Sequence, residues 1–318
     1  MVDELRVAGN KVNIKGVVLE HKLNEQKGDD GKYINGSLIV KAGEFTEIEV
    51  KVYVTQFTKD NKEKKNYTLL KQLIDGELTT LATDKKNPTT ISIYGNKDFQ
   101  PHLKEERYAN QTKTEAITRV SIDLGFGTIK VVDIAEEDYS ATFDIEMFVT
   151  GIDEETNKDE EETGRVKIKG YVPVYGGGIF PIEVIAGIIV DDEGEFDFAE
   201  DVRSEIEEGS TINVWGNINF GKIVEKKSKG GKLGRAKVED SYTYIHELIA
   251  IGADFIEDDN AYEEEDIEKA VKERKIQLEE VLTKAKQKEE EGSKGKSKGL
   301  GKKSEGASKD KPKRNINF

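Results

Sequence analysis

The side chains that most often carry catalysis or bind metals are scattered along this sequence. The three histidines, His21, His102 and His246, lie in separate segments without the spacing of metal ligands, and no serine occupies a nucleophile elbow. The chain has no cysteine, which excludes disulfides, thiolate zinc sites and cysteine nucleophiles. We therefore predict that the protein is not an enzyme and needs no metal or cofactor.

Charged clusters are the next candidates for chemistry. Two acidic clusters, residues 153–162 and 191–197, have enough oxygens for calcium or magnesium, but they lack the regular spacing of a calcium loop and are better interpreted as solvated loops. A lysine cluster precedes Tyr67, and it consists of Lys59, Lys62, Lys64 and Lys65. Such a cluster can extend a basic groove, although a charged run in a loop is more often only solvated.

The charge is segregated along the chain. The net charge is −15, but residues 292–318 carry +7, so that residues 1–291 carry −22. An acidic body argues against indiscriminate binding of polyanions, yet screening limits each charge to about 10 Å or less, and local basic loops can still follow a phosphate backbone. The sequence shows neither an apolar run of about 20 residues nor an export signal, which predicts a cytoplasmic protein with no membrane partner.

Period-two alternation of apolar residues dominates residues 12–54 and 143–190, which predicts a mostly β chain. In the first half the order is three strands, a helix and two strands. The strands lie near residues 11–19, 33–41, 46–55, 89–96 and 116–124, and the helix lies near residues 67–82. Further along, residues 263–291 predict a charged helix, and residues 292–318, rich in Gly, Ser and Lys, predict a disordered basic tail.

A short segment of the first half recurs in the second half, at a constant offset of 121 positions. The matching residues are Ile91, Ile93, Tyr94, Gly95, Asn96 and Phe99 in the first half and Ile212, Val214, Trp215, Gly216, Asn217 and Phe220 in the second. A helix candidate precedes the repeated strand in both halves. The repeat predicts two duplicated domains, residues 1–136 and 137–262, with the boundary where acidic residues interrupt the β pattern.

A strand that ends in Gly95 is followed by a long basic and aromatic hairpin and by a strand at residues 115–124. This order resembles the last half of the OB fold in single-stranded DNA-binding proteins. Its first hairpin is similar to two segments here: Val12, Ile14, Gly16 and Val18, then Ser37, Leu38, Ile39 and Val40. The resemblance covers roughly residues 10–130 and, more weakly, 140–253. It implies two tandem OB-fold-like five-stranded barrels, followed by the C-terminal helix and the disordered tail.

The resemblance implies a binding face across the middle strands, flanked by the hairpin between strands four and five. On this hairpin the first half offers Phe99, His102, Lys104, Arg107, Tyr108, Lys113 and Arg119. The second half offers Phe220, Lys222, Lys226, Lys227, Lys229, Lys232 and Arg235. Basic residues neutralise phosphates and aromatic faces stack on bases, at about 1–3 kcal/mol per stacked base, without any need for sequence specificity.

Aromatic residues on the predicted strands add further candidates. Tyr94 and its counterpart Trp215 alternate with buried positions, so they face away from the barrel interior, where they are either base platforms or packing residues. For Tyr33, Tyr53 and Phe57 the alternative to base stacking is packing in the core or at its rim. Lys62 and Lys64 of the lysine cluster complete the predicted nucleic-acid-binding set.

The tail departs from the pattern of the bacterial proteins that the chain resembles, which typically end in an acidic stretch and Pro-Phe. Here four basic residues precede the last four positions, and they are Lys309, Lys311, Lys313 and Arg314. The retained Phe318, together with Ile316, implies docking into replication or recombination proteins. A purely solubilising tail is the alternative.

These observations favour a non-catalytic, sequence-tolerant single-stranded DNA-binding protein of a replication or recombination system, similar to tandem-OB proteins of bacterial viruses and then located in the host cytoplasm. Binding of RNA cannot be separated from binding of DNA by sequence, because stacking and backbone contacts serve both polymers. The acidic body leaves open a different class, namely a structural or interaction protein with duplicated β-domains, such as a virion component or an acidic mimic of nucleic acid.

Overall fold

The computed structural model describes residues 5–29, 31–96, 100–157, 159–191, 194–229 and 237–296, and for residues 191, 223–229, 237–241 and 289–296 it describes the backbone alone. The described chain divides into two compact units. The first comprises the residues up to Glu106 together with Thr118–Ile276, and the second comprises Arg107–Ile117 and the residues from Gln277 onward. Among the described residues, no helix has both the length and the apolar character needed to cross a membrane.

The described residues of the first half form eight strands and one α-helix. They are β1 (Asn10–His21), β2 (Asn24–Gly28), β3 (Gly31–Lys41), β4 (Glu47–Thr55), α1 (Lys65–Asp75), β5 (Thr90–Tyr94), β6 (His102–Ala109), β7 (Ala116–Asp123) and β8 (Thr128–Val131). Helix α1 ends seven residues before the predicted end at residue 82, because Gly76 adopts a left-handed conformation with φ +77° and its N–H bonds to the carbonyl of Leu73. The chain then continues to β5 without helix.

The strand pairings of the first half close a barrel. Strand β1 is antiparallel to both β3 and β5, and β3 is antiparallel to β4. Strand β4 runs parallel to β7, with Val50 opposite Ile122, and β5 is antiparallel to β8. Because β7 and β8 follow each other across a short turn, together they act as the fifth strand. A five-stranded barrel with a parallel pairing between strands three and five is the OB connectivity.

The second half repeats this connectivity. Its elements are β9 (Ser140–Thr156), β10 (Glu162–Val174), β11 (Gly178–Ala186), β12 (Ile188–Asp191), β13 (Gly194–Asp197), α2 (Phe198–Glu205), β14 (Thr211–Lys229) and β15 (Lys237–Phe255). Strand β9 is antiparallel to β10 and β14, β10 is antiparallel to β11, and β14 is antiparallel to β15. Strand β11 is parallel to β15, with Ile185 opposite Ile249. Strands β12 and β13 form a small separate hairpin.

The repeated segment occupies the same place in both barrels. In the first barrel Ile93 of β5 lies opposite Ile14 of β1, and in the second Val214 of β14 lies opposite Ile145 of β9. All four side chains are fully buried, and they form part of one continuous hydrophobic core. The prediction of two tandem OB-fold-like barrels is therefore confirmed by the strand pairings.

Both barrels lie in the first compact unit, because β1 and β9 pair over six residues, from Asn10 opposite Ile145 to Lys15 opposite Ser140. The predicted boundary at residues 136 and 137 falls between β8 and β9, in the connection between the barrels. As a boundary between independent domains it stays a prediction.

A C-terminal helix, α3 (Glu264–Lys296), follows the second barrel. It continues five residues beyond the predicted end at residue 291, so the first residues of the predicted tail are helical. In the first unit its start is held by buried Ile267 and Ala270 and by Tyr262, whose N–H donates to the Oγ1 of Thr211 at 2.9 Å. In the second unit Arg107, on the hairpin β6–β7, donates a hydrogen bond to Gln277 of the helix.

Candidate functional site

Two adjoining grooves lie on the first unit, where the outward faces of the barrels meet β7 and the hairpin β14–β15. The first-barrel groove, of about 600 Å³, crosses β3, β4 and β7. The second-barrel groove, of about 510 Å³, crosses β10 and β11. Both grooves are lined by Arg119, Val120, Phe220 and His246, which we call the shared wall.

The shared wall presents a flat aromatic surface. Phe220 and His246 lie opposite each other on β14 and β15, with ring centroids 3.6 Å apart and planes within 11°. Phe220 is buried whereas His246 is exposed, so the imidazole covers the phenyl ring and offers its other face to the grooves. One face of the imidazole is shielded from water by Phe220, and this desolvation, together with the neighbouring Arg119 guanidinium, lowers the pKa of His246. The neutral ring is therefore favoured at neutral pH.

The outward face of the first barrel follows from period-two alternation along β3 and β4. On β4 the side chains of Ile48, Val50, Val52 and Val54 are buried, and those between them face outward. At one end of this face the rings of Tyr33 and Tyr53 lie 5.2 Å apart at a tilt of 37°. The hydroxyl of Tyr33 donates to Gln26 at 2.6 Å, while Tyr53 is 62% exposed.

The middle of the same face carries paired charges. Lys51 Nζ lies 3.0 Å from Glu49 and 3.9 Å from Glu106, and Lys222 Nζ lies 3.5 Å from Glu47. Burial raises the pKa of Glu49, but hydrogen bonds from Lys51 and Ser37 outweigh it and hold that pKa below its ordinary value. Glu49 is therefore ionised at neutral pH beside Lys51.

The outward face of the second barrel is similar in composition. Lys169 and Tyr171 of β10 lie opposite Glu183 and Pro181 of β11, and all four line the second-barrel groove. Lys169 forms an ion pair with Asp153, which is not among the groove residues. This face therefore has one tyrosine ring, Tyr171, beside Lys169 and Glu183, each of which forms an ion pair.

Of the residues predicted from sequence, Phe220 lines both grooves, whereas the predicted residues on β3, on β4 and in the segment after β4 line neither. Phe220 belongs to the shared wall, although it is buried under His246 rather than exposed. Tyr33 and Tyr53 lie together on the face of the first barrel. Phe57, just after β4, is 44% exposed. In the lysine cluster, Lys62 is exposed and Lys64 donates to the Oγ1 of Thr55 at 2.6 Å.

Other predicted residues line neither groove. Tyr94 is 38% exposed at the end of β5, and Lys104 forms an ion pair of 3.0 Å with Asp123. Trp215 is half-buried because Gly252 lies opposite it on β15, where a Cβ atom would come within 2.5 Å of the indole Cζ2. The role of Trp215 as a base platform stays a prediction. Arg107 and Tyr108 belong to the second unit, in which Tyr108 is 44% exposed.

The remaining predicted residues cannot be placed. Phe99, Lys232, Arg235, Ile316 and Phe318 lie outside the described residues, and so do the side chains of Lys226, Lys227 and Lys229 on β14. Their roles in nucleic-acid and partner binding stay predictions.

The sequence interpretation left out Tyr244 and His246 of β15 and Lys51 of β4. Tyr244 is 78% exposed and lines the first-barrel groove next to Lys222, which lies opposite it on β14. The alternation of Tyr242, Tyr244 and His246 along one strand was the available signal, since every second side chain of a strand shares a face.

The pairings and grooves define a tandem OB-fold protein with an aromatic and charged face on each barrel. The chain belongs to the YorF family, whose model matches residues 8–286. Among solved structures, it is similar to the wild-type single-stranded DNA binding protein from Thermus aquaticus, with a TM-score of 0.43 and 12% identity over 81% of this chain and 98% of that chain. No curated protein matches the sequence. Because this structural similarity is distant, we base the OB-fold assignment on the strand pairings.

Proposed function

We propose that this protein binds single-stranded DNA without sequence preference and without catalysis, in a replication or recombination system such as those of bacterial viruses. One observation carries the proposal. The outward faces of both barrels meet at the shared wall, where an exposed imidazole stacked on a phenyl ring lies beside the guanidinium of Arg119. A flat ring next to a cation is what a nucleotide, with its base and phosphate, would contact.

Base stacking supplies the sequence tolerance. His246, Tyr244 and Tyr171 line the grooves, and Tyr53 offers an exposed ring on the same face of the first barrel. Every base has a flat face, so each stack contributes about 1–3 kcal/mol whichever base is present. In a duplex those faces are already stacked on neighbouring base pairs, and we therefore expect a preference for single strands.

Phosphate contacts fall to the basic residues that line the first-barrel groove. They are Lys22, Lys51, Arg119 and Lys222. Because three glutamates line the same groove, its local charge is close to neutral, and stacking is expected to contribute more to the affinity than phosphate contacts do. None of these contacts would exclude a 2′-hydroxyl, so RNA is a second ligand that the experiment must include.

The test is a fluorescence anisotropy titration of the full chain with labelled oligo(dT) of about 30 nucleotides, since an OB fold covers about 4–16 nucleotides. Matched oligo(rU) and a duplex of the same length are the comparisons. We expect saturable binding of the single strand, at least about tenfold tighter than that of the duplex because one stack or more is lost there, and weakening as salt rises.

The outcomes separate the function classes. Equal affinity for duplex and single strand would contradict base stacking as the basis of binding. Absence of binding to all three ligands would overturn the proposal and favour a structural or interaction protein. Tighter binding of oligo(rU) than of oligo(dT) would reassign the ligand to RNA.

A further inference from the structure

The lysines of the first-barrel groove are already neutralised by carboxylates of the same groove. Glu49 and Glu106 approach Lys51 at 3.0 Å and 3.9 Å, and Glu47 approaches Lys222 at 3.5 Å. All five residues line the groove. A phosphate that enters must therefore take the place of a carboxylate at each of these ammonium groups.

Partial exposure makes this exchange feasible. The side chains of Lys51, Glu49 and Glu106 are 36%, 33% and 37% exposed, so neither partner is locked in the core. Ion pairs at this exposure hold together by only about 0.2–1 kcal/mol. These ion pairs are strong enough to lower the affinity of the lysines for a phosphate, but too weak to prevent the phosphate from binding.

We propose that Glu47, Glu49 and Glu106 compete with strand phosphates for Lys51 and Lys222, and thereby set the affinity of the groove below the value that its lysines alone would give. This inference rests on the proposed function, because it concerns the same site. The three glutamates act as affinity-limiting residues. A ligand that binds through its phosphates alone gains little binding free energy in the groove, because each phosphate must displace a carboxylate. The competition therefore favours unpaired strands, whose bases can also stack, over duplex.

The competition predicts a shallow salt dependence. When a lysine neutralises a phosphate of a single strand, about 0.7 of a condensed counterion is released. At Lys51 and Lys222 the displaced carboxylate remains in the groove as a negative charge, which attracts cations and offsets part of that release. Removing the carboxylate restores the release, so the dependence of affinity on salt becomes steeper.

The experiment compares Glu49→Gln, the triple variant Glu47→Gln/Glu49→Gln/Glu106→Gln and the control Asp144→Asn. Asp144 pairs with Lys11 at 3.3 Å, is 38% exposed and lines neither groove, so its substitution changes the net charge by the same amount as Glu49→Gln. The full-length proteins are titrated with labelled oligo(dT) between about 50 and 200 mM NaCl. Circular dichroism and thermal melting verify that each variant is folded.

We expect Glu49→Gln to tighten binding at low salt about threefold, the triple variant to tighten it further, and the salt slope to steepen by up to about 0.7 for each lysine released. Asp144→Asn should leave both quantities unchanged. If the wild type binds, the inference is overturned when Glu49→Gln leaves the affinity unchanged or weakens it. It is also overturned when Asp144→Asn tightens binding as much as Glu49→Gln does. Absence of binding by the wild type and by every variant overturns the proposed function as well.

Discussion

Replacing Arg119 and His246 together with alanine is expected to weaken the binding of oligo(dT) about 100-fold, from one lost stack of about 1–3 kcal/mol and one lost charge contact of about 1 kcal/mol. Both residues line both grooves, and the guanidinium lies close enough to lower the pKa of the imidazole. A strand that passes from one barrel to the other must cross them. The measurement is the anisotropy titration described above.

A matched control comes from the residues that the sequence alone favoured. Tyr94 and Lys104 are also an exposed aromatic ring and a lysine of the first barrel, but neither lines a groove. Tyr94→Ala/Lys104→Ala is expected to change the affinity less than about threefold. If instead this control loses binding and Arg119→Ala/His246→Ala retains it, the strand follows the hairpin face predicted from sequence, and the grooves are not the site. Because both side chains are exposed, their substitution should lower the thermal midpoint only slightly, through the lost contact of His246 with Phe220.

The fold was largely predictable because it depends on periodicity. Alternation of buried side chains along β4 follows from a period of two, and the six-residue repeat at an offset of 121 positions indicates the duplication; both are visible in the sequence. Helix α1 was extended too far because the prediction continued past Gly76, whose left-handed conformation ends the helix. A glycine at that place was the signal that the interpretation missed.

The shared wall could not be predicted, because it depends on strand register. Phe220 and His246 are 26 positions apart in the sequence, and they face each other only in the register that follows the irregularity between Trp215 and Gly216. A shift of one residue would turn either ring to the other face. Alternation predicts that Trp215 faces away from the barrel interior. Only the strand pairing shows that Gly252 lies opposite Trp215 and contacts its indole ring.

The meeting of the two grooves depends on a longer-range feature. Arg119 belongs to the first barrel and His246 to the second, and the barrels are joined by the pairing of β1 with β9. No local pattern in the sequence specifies that the first strands of the two barrels will pair with each other. The sequence could therefore indicate the kinds of residue that line the grooves, namely aromatic and basic ones, but not which of them share a surface.

Replacing Arg274 with methionine is expected to lower the free energy of unfolding by about 3 kcal/mol, because it removes one partner of a buried ion pair. Arg274 of α3 bonds to Glu105 of β6, and the two side chains are only 15% and 4% exposed. The pair fixes the start of helix α3 on the first barrel. A value at the lower end of the range of about 3–5 kcal/mol is expected, because the Nε of Arg274 has no hydrogen-bond partner in the described part of the chain.

The measurement is urea denaturation followed by circular dichroism, with Lys272→Met as the control. Lys272 lies two residues earlier on the same helix and pairs with Glu268 at 3.3 Å, but both side chains are more than 60% exposed, so its loss should cost less than about 1 kcal/mol. Adding Glu105→Gln to Arg274→Met removes the buried charge, and the double variant should recover part of the loss. Equal destabilisation by Arg274→Met and Lys272→Met would mean that the ion pair does not hold the helix. A double variant less stable than Arg274→Met would mean that Glu105 contributes through partners other than Arg274.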